Sequence, residues 1–358
     1  MDMNNIKKIL LAHYARYPEM RIPDMVKLLY QNEYAGGHFI IDETDSLRRL
    51  REEYHGLSPV SSQQAFESIG NGLCRMYLTS PRCREVDLRT INRFFINTAN
   101  TSRGGRENFE KKLDVLRRCC IEGDLPYSVD ALDSYVEAIS KGSMLVSHSR
   151  VYRDAYHPAY RVMRAVYGDF FAVFSRIDAL MGTKDHVNVA VDGTSGAGKS
   201  SLAALIGDVY ECNVFHMDDY FLTPELRTEE RLNEAGGNVD YGRFKREIAR
   251  GLKSGGAFSY RPYNCRTKAL EAPVRVTPKP LNIIEGSYSM HPALVDLYDL
   301  KVFLGINAEE QSRRILARNG DIMHKRFMSE WVPMENRYFA EMGIRDLCDL
   351  AYDDGALV

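Results

Sequence analysis

The sequence has little of what marks a secreted, membrane-spanning or nucleic-acid-binding protein. Seven cysteines, an odd number with no CxxC pair, disfavour a disulfide framework or a cysteine zinc site and favour a reducing cytoplasm. No stretch reaches the roughly 18 apolar residues of a membrane span, and no apolar core near the start precedes a small-residue cleavage site, so we expect neither membrane association nor a signal peptide. A net charge of −2 over 358 residues predicts no nucleic-acid partner.

What the chain does contain is a change of pattern near residues 182–186. Before it, apolar residues recur at helical spacing, and we expect further helices in the segments 62–79, 86–99, 106–121, 127–139 and 159–181. After it, β-branched strands alternate with helices, which predicts a parallel sheet with helices on both faces. We therefore predict a mostly α-helical domain over 1–183 and an α/β domain over 184–358.

The strongest motif is the stretch GTSGAGKS, which fits the phosphate-binding pattern GxxxxGK[ST] at every fixed position. It follows a predicted strand and opens a predicted helix, as a P-loop does. Lys199 would reach the β- and γ-phosphates and the Ser200 hydroxyl would ligate Mg²⁺. The predicted nucleotide-binding residues are Gly193, Thr194, Ser195, Gly196, Ala197, Gly198, Lys199, Ser200 and Ser201. The α/β domain is therefore predicted to be a P-loop NTPase fold with ATP and Mg²⁺ as cofactors, and the lack of an Asn-Lys-x-Asp stretch favours an adenine nucleotide.

Acidic residues follow two of the predicted strands. Asp218 and Asp219 come after Cys212–His216, and one of them would face the γ-phosphate and accept a proton from an attacking hydroxyl. Glu285 ends the apolar strand LNIIE and would hold Mg²⁺, directly or through water. Solvated surface acids remain the alternative for both positions.

A basic stretch over residues 312–326 is the fourth signal. Phosphoryl transfer requires cations over the charge that spreads in the transition state, and arginine suits this geometrically. The stretch is typical of a kinase lid, although a solvated helix face has the same composition.

Taken in order, the phosphate loop and the stretches HMDDYF, NVDYGRF, YRPYNC, IIEGSYSMHPAL and SRRILARNGD resemble the uridine kinase and phosphoribulokinase group of P-loop kinases. The resemblance covers about 187–353 and implies ATP- and Mg²⁺-dependent transfer to a hydroxyl of a small metabolite, with uridine or a related nucleoside as the first acceptor. It implies Asp218 as the base, which also contributes to the metal site, and Glu285 as the metal-associated acid. On the substrate side it implies Asp240 and Tyr263. It also implies Arg314 as the lid arginine, with Arg318 and Arg326 as companions.

The chain departs from this family where the acceptor would bind. The family's Tyr-Asp stretch reads Tyr263-Asn264, and Lys268 lies where a base-contacting histidine is expected. A lysine there suits an anionic or carbonyl-rich acceptor as well as uracil. A phosphosugar, a pantothenate-like compound or a vitamin therefore stays open as the acceptor. An ATP-responsive regulatory or scaffold protein stays open as a different class of function, and so does self-association into a homo-oligomer.

Two stretches of the helical half combine polar and aromatic residues. Residues 30–38, YQNEYAGGH, read either as a helix stop or as a binding loop. Residues 147–161, SHSRVYRDAYHPAYR, would either form a linker and interface or contact phosphate or substrate. Zinc binding by His148 and His157 is disfavoured because no cysteine lies at ligand spacing.

Overall fold

The computed structural model describes residues 3–36, 39–142 and 146–353. Contacts within the chain divide it into two compact units, Met1–Asp169 and Phe170–Val358. The sequence boundary of 183/184 lies later than this division. The helix Phe171–Met181 packs against two strands of the second unit, so it lies with the sheet rather than with the helical part of the chain. None of the described helices is long and apolar enough to cross a bilayer.

The first unit is mostly helical, as predicted, but it also holds a three-stranded antiparallel sheet. Its helices are α1 (Met3–Arg16), α2 (Ile22–Tyr34), α3 (Glu43–His55), α4 (Leu88–Thr101), α5 (Arg106–Ile121), α6 (Val129–Ser140), α7 (Arg150–Tyr156) and α8 (Ala165–Asp169). Its strands, in spatial order, are β1 (Phe66–Gly70), β2 (Leu73–Tyr77) and β3 (Tyr160–Arg164). The core forms around α2, whose Met25, Leu28 and Leu29 are fully buried.

The helices predicted for 62–79 and for the start of 159–181 are wrong. The first segment forms the β1–β2 hairpin, and the second begins with β3, which pairs with β2. The reason lies in the turn: Asn71 and Gly72 both have positive φ, at 54° and 68°, and an Asn-Gly pair is the strongest short signal for a hairpin. Helical spacing of apolar residues outweighed that signal in the sequence analysis.

The second unit is built on a five-stranded parallel sheet flanked by helices, as predicted. The strands are β4 (Val187–Gly193), β5 (Cys212–His216), β10 (Leu281–Glu285), β11 (Leu300–Leu304) and β12 (Leu350–Tyr352), in the spatial order β12-β11-β4-β10-β5. Short strands form two further antiparallel pairs: β6 (Phe258–Tyr260) with β9 (Val274–Val276), and β7 (Tyr263–Asn264) with β8 (Ala269–Leu270). The carboxyl ends of β4, β10 and β5 therefore lie side by side.

Seven helices of the second unit surround or extend from this sheet within the described residues. They are α9 (Phe171–Met181), α10 (Lys199–Gly207), α11 (Glu229–Asn233), α12 (Tyr241–Phe244), α13 (Arg250–Ser254), α14 (Ala308–Arg326) and α15 (Val332–Met342). A kink interrupts α14 at Gly320, whose φ of 73° and ψ of 172° are not helical. A π-helical turn, Phe327–Trp331, joins α14 to α15.

The carboxylate of Asp192, near the end of β4, is fully buried and joins three segments of the second unit. Its Oδ1 accepts hydrogen bonds from the backbone N–H of Gly193 at 2.7 Å and of Tyr288 at 3.2 Å. Its Oδ2 accepts from the Met290 backbone N–H and from the Tyr338 hydroxyl, both at 2.9 Å. Burial raises the pKa of Asp192 to about 6, so the side chain is charged at neutral pH and these hydrogen bonds are charge-assisted.

Replacing Asp192 by asparagine should lower the free energy of unfolding by about 2–4 kcal/mol, because an amide N–H₂ group would face donors where an oxygen now accepts. Tyr338→Phe removes one donor and should lower it by only about 1 kcal/mol. Denaturant titration followed by the fluorescence of Trp331 reports on the second unit, because this is the only tryptophan in the chain. Equal losses for the two variants would contradict a central role for the carboxylate.

Candidate active site

The loop between β4 and α10 has the geometry of a phosphate-binding loop. At Gly193, φ is 141° and an added Cβ would lie 1.9 Å from the carbonyl oxygen of Leu304 on the neighbouring strand, so only glycine fits. Gly198 precedes α10 with a left-handed φ of 98°. Turning the backbone in this way directs consecutive N–H groups to one side at a helix N-terminus, which is the arrangement that binds phosphate oxygens.

Side chains of the loop fit a nucleotide triphosphate as well. Lys199 Nζ donates to the carbonyl oxygens of Gly193 at 2.8 Å and Thr194 at 3.0 Å, and to the Ser287 hydroxyl at 3.2 Å. The ammonium group therefore lies over the loop, where phosphate oxygens would compete for it. The Thr194 hydroxyl is buried and has no hydrogen-bond partner in the described part of the chain, which leaves a polar atom of the loop available to a ligand.

Ser200, in the first turn of α10, contacts Glu285 at the end of β10. The Ser200 hydroxyl donates to Glu285 Oε1 at 3.0 Å, and His216 Nδ1 lies 2.5 Å from the same oxygen. This hydrogen bond to Glu285 raises the pKa of His216. Within the described residues no three His, Cys, Asp or Glu side chains form a metal centre. Ser200 and Glu285 nevertheless fit Mg²⁺, which usually takes one or two protein oxygens and completes its shell with water and substrate phosphates.

Asp218 lies close to these groups, since the charges of Glu285 and Lys199 both act on its pKa. We call the space bounded by Asp218, Ser200 and Glu285 the recess. Part of the Asp218 side chain is exposed to solvent, and neighbouring segments cover the rest. Burial raises its pKa first, the charges of Glu285 and Glu335 raise it further, and Lys199 opposes them. Asp219, the second acid of the pair, is half-buried. Its own pKa is raised by burial, and His216 and Arg243 oppose the shift.

Asp240 is brought beside this recess by pairing of two loop segments. The Leu222 backbone N–H donates to the Asn238 carbonyl at 3.0 Å, and the Asp240 N–H donates to the Tyr220 carbonyl at 2.8 Å. The Asp240 carboxylate also caps α12, since its Oδ1 accepts from the Arg243 N–H at 2.8 Å. A cavity of about 420 Å³ opens next to it.

Tyr263 and Lys268 lie on the short β7–β8 hairpin and do not line that cavity. Asn264 has a structural role there, because its Oδ1 accepts from the N–H groups of Arg266 at 2.9 Å and Thr267 at 3.2 Å. Lys268 has a left-handed φ of 55° and an exposed side chain. The charge of Asp218 still contributes to raising the pKa of the hairpin residue Cys265, after burial, so the hairpin is close to the recess.

One of the predicted lid arginines reaches the phosphate loop. Arg314 donates through Nη1 to the Gly196 carbonyl at 3.2 Å and through Nε to Glu310 at 2.6 Å. Arg318 is exposed and donates to Asn319, and Arg326 pairs with Glu330. The structure brings only Arg314 of these three into contact with the loop.

Sequence reasoning missed two residues, one on α14 and one on α15, that hold the same loop. Glu335 on α15 is buried, and its carboxylate accepts from the Ser195 backbone N–H at 2.9 Å, the Ser195 hydroxyl at 2.6 Å and the Ser287 hydroxyl at 2.8 Å. Gln311 on α14 donates to the Ser195 carbonyl at 3.1 Å. Neither residue is part of a local pattern, and Glu335 stands 140 positions from Ser195, so spacing alone carries no signal of the contact.

Comparison with known proteins adds a likeness to kinases. About half of this chain resembles solved kinase structures. A Bacillus stearothermophilus protein described as a possible uridine kinase is 20% identical over 51% of this chain and 100% of that chain, with a TM-score of 0.37. A Silicibacter protein provisionally described as a fructose transport system kinase is 22% identical over 52% and 98%, with a TM-score of 0.41. Deoxyadenosine kinase from M. mycoides is 16% identical over 48% and 92%, with a TM-score of 0.24.

No known family model and no curated protein matches the chain at a significant level. Identities under 25% and TM-scores under 0.5 indicate a general likeness only. The roles proposed below therefore rest on the contacts of this chain.

Negative charge is in excess around the loop. The carboxylates of Asp218, Glu285 and Glu335 lie close enough that the last two raise the pKa of the first. Among the described residues, Lys199 and Arg314 are cations in contact with the loop, and His216 contacts Glu285. The three carboxylates oppose the binding of a metal-free triphosphate, and a divalent cation would offset their charge.

Glu335→Gln should tighten the binding of metal-free ATP by at least about fivefold, because removing one negative charge a few ångströms from the phosphates is worth about 1 kcal/mol even at the dielectric constant of water. The amide fits the same contacts, with its oxygen on the Ser195 N–H and its N–H₂ on the hydroxyls. Isothermal titration calorimetry with ATP in EDTA measures the change. Glu341→Gln, an exposed position on the same helix, is the control. Unchanged or weaker binding in Glu335→Gln would contradict the repulsion.

Proposed function

We propose that the second unit is an ATP- and Mg²⁺-dependent kinase that transfers the γ-phosphoryl group to a hydroxyl of a small metabolite. The observation that carries this proposal is the convergence of a phosphate-binding loop, an accessible Asp218 and a cavity lined by Asp240 at one edge of the sheet. A P-loop alone also serves ATPases and switches. An acid just after β5, two strands from β4 in the sheet and near a cavity for a second molecule, is what phosphoryl transfer to an acceptor requires.

The residues divide the work as follows. The loop N–H groups and Lys199 hold the β- and γ-phosphates, and Arg314 contributes a second positive charge over the loop. Mg²⁺ held by Ser200 and Glu285, with Asp218 as a further oxygen ligand, would neutralise phosphate charge. Asp218 accepts the proton of the attacking hydroxyl. Asp240 orients the acceptor.

Uridine or a related nucleoside is the first acceptor to test, because the motif order resembles that of uridine kinases. An anionic acceptor such as a phosphosugar is the second, because Lys268 lies where uridine kinases have a base-contacting histidine; Arg231 lines the cavity too, together with the acids Glu225 and Asp240. Lys268 on the adjoining hairpin would add a second cation. A coupled ADP-release screen over nucleosides, phosphosugars, pantothenate and vitamins tests both classes. ATP binding without turnover on any of them would favour the regulatory alternative.

Asp218→Asn should lower kcat by about 10²–10⁴-fold, as expected for loss of a general base, while ATP affinity stays near that of the wild type. Steady-state kinetics on the acceptor found in the screen, together with calorimetry for ATP, measure the two effects. Asp219→Asn is the matched control and should retain most of the activity. Near-normal turnover of Asp218→Asn would remove Asp218 from the role of base.

Lys199→Ala should weaken both the binding of Mg·ATP and the rate, because the ammonium contacts the phosphates in the ground state and in the transition state. Loss of a charge-assisted hydrogen bond predicts about a tenfold to hundredfold weaker affinity. Lys253→Ala, an exposed lysine in the same unit, should bind as the wild type does. Full Mg·ATP affinity in Lys199→Ala would place the nucleotide elsewhere.

A further inference from the structure

The helical unit contains a cavity of about 430 Å³ that the proposed kinase reaction does not use. The two stretches singled out in the helical half of the sequence meet there. Tyr30 and Gln31 come from residues 30–38, and His148, Tyr160 and Arg161 come from residues 147–161. These stretches are more than 100 positions apart, and both contain several polar and aromatic side chains.

One wall of the cavity is a continuous chain of hydrogen bonds. His148 lies 2.9 Å from Asp24 through Nδ1 and 2.6 Å from the Tyr160 hydroxyl through Nε2. The Gln31 amide donates to that hydroxyl at 3.2 Å, and its oxygen accepts from Arg75 at 2.8 Å. Because a charged Asp24 can only accept, Nδ1 of His148 carries the proton and Nε2 accepts from Tyr160. Burial lowers the pKa of His148 to about 4, which agrees with a neutral ring.

Burying the polar groups of this wall costs free energy that a purely structural wall of apolar side chains would not require. Arg75 is completely buried beneath it, stacked 4.7 Å from the Tyr160 ring and 3.3 Å from Glu67. Buried polar networks stabilise a fold no better than apolar packing, but they fix side chains in one arrangement. Zinc does not explain the arrangement, because both ring nitrogens of His148 are engaged in hydrogen bonds. The wall therefore has the properties of a preorganised binding surface.

The other side of the cavity carries more positive than negative charge. Lys27, Arg49 and Arg161 line it, and Glu53 is the one acid among the described residues of the lining. Arg161 pairs with Glu53 at 2.7 Å, and Arg49 with Asp45 at 2.8 Å. Lys27 has neither a hydrogen bond nor an ion pair to any residue that the structure describes, and burial lowers its pKa to about 8. An unpaired, half-buried ammonium in a cavity is stabilised by an anionic ligand.

We propose that this cavity of the helical unit binds a phosphate monoester, with Lys27, Arg49 and Arg161 on the phosphate group. Asp45 and Glu53 balance Arg49 and Arg161, which leaves the charge of Lys27 uncompensated. Both arginines have N–H donors beyond those in the ion pairs, so the site offers more donors than the two oxygens of a carboxylate can accept and suits the three terminal oxygens of a phosphate monoester. Arginine guanidinium groups, which can donate to two oxygens at once, and lysine ammonium groups are the usual ligands of phosphate. The Phe95 ring and Val162 in the same lining provide an apolar surface for the organic part. This site is independent of the proposed kinase reaction.

Calorimetric titration of the full chain with inorganic phosphate tests the site. The titration is done in the wild type and in Lys199→Ala, which removes the main cation of the phosphate-binding loop in the second unit. We expect phosphate binding to persist in Lys199→Ala and to weaken at least tenfold when Lys27→Met is added. Arg49→Met, at a side chain that is 71% exposed, provides a second variant if Lys27→Met fails to fold. Arg150→Met removes an equally charged but 88% exposed side chain of the same unit and should change the affinity less than twofold.

Three results would overturn the proposal. The first is that the Lys199→Ala protein binds no phosphate at millimolar concentration, which would leave the phosphate loop as the sole anion site. Lys27→Met and Arg49→Met could both bind phosphate as tightly as their parent, which would place the anion elsewhere. Acetate or succinate could bind more tightly than phosphate in the Lys199→Ala background, which would make the ligand a carboxylate. Failure of kinase turnover in the acceptor screen would not affect any of these measurements.

Discussion

A single buried charge, the carboxylate of Asp192, sets the geometry on which the phosphate-binding side of the sheet depends. A buried carboxylate is tolerated only when hydrogen bonds replace its water, and Asp192 receives four. Those donors come from the start of the phosphate loop, from the loop after β10 and from α15. Satisfying one side chain therefore fixes the relative positions of the three segments that carry Lys199, Glu285 and Glu335.

The same constraint explains why the recess is acidic. The loop after β10 has to approach the end of β4, so Glu285 is placed against Ser200, and α15 has to bring Tyr338 inward, so Glu335 one turn earlier meets Ser195. Two carboxylates thus follow from the geometry before any ligand is considered, and Asp218 adds a third. A chain with a net charge of −2 can still hold strong local fields, because charges act over a few ångströms while the total is summed over the whole surface.

How far the sequence could predict this arrangement depends on the distance along the chain over which each feature is determined. The phosphate loop was predictable because eight consecutive residues carry it, and the strand ends at Asp218 and Glu285 were predictable because each follows an apolar run. Asp192, Gln311 and Glu335 were not, since each acts through partners far away along the chain. The β1–β2 hairpin was missed for a different reason: Asn71-Gly72 is a local turn signal, and the helical spacing around it was given more weight.

The two units deal with negative charge by opposite means. In the recess of the second unit, acids outnumber the cations that contact the loop, so the kinase that we propose would bind its polyphosphate together with a divalent metal that offsets the repulsion. In the cavity of the helical unit, cations outnumber acids and one of them, Lys27, is unpaired, so an anion is attracted without a metal. The first arrangement suits a triphosphate whose charge moves during a reaction, and the second suits an anion that is simply held. Such a division of labour is consistent with one chain that handles phosphate at two chemically distinct sites.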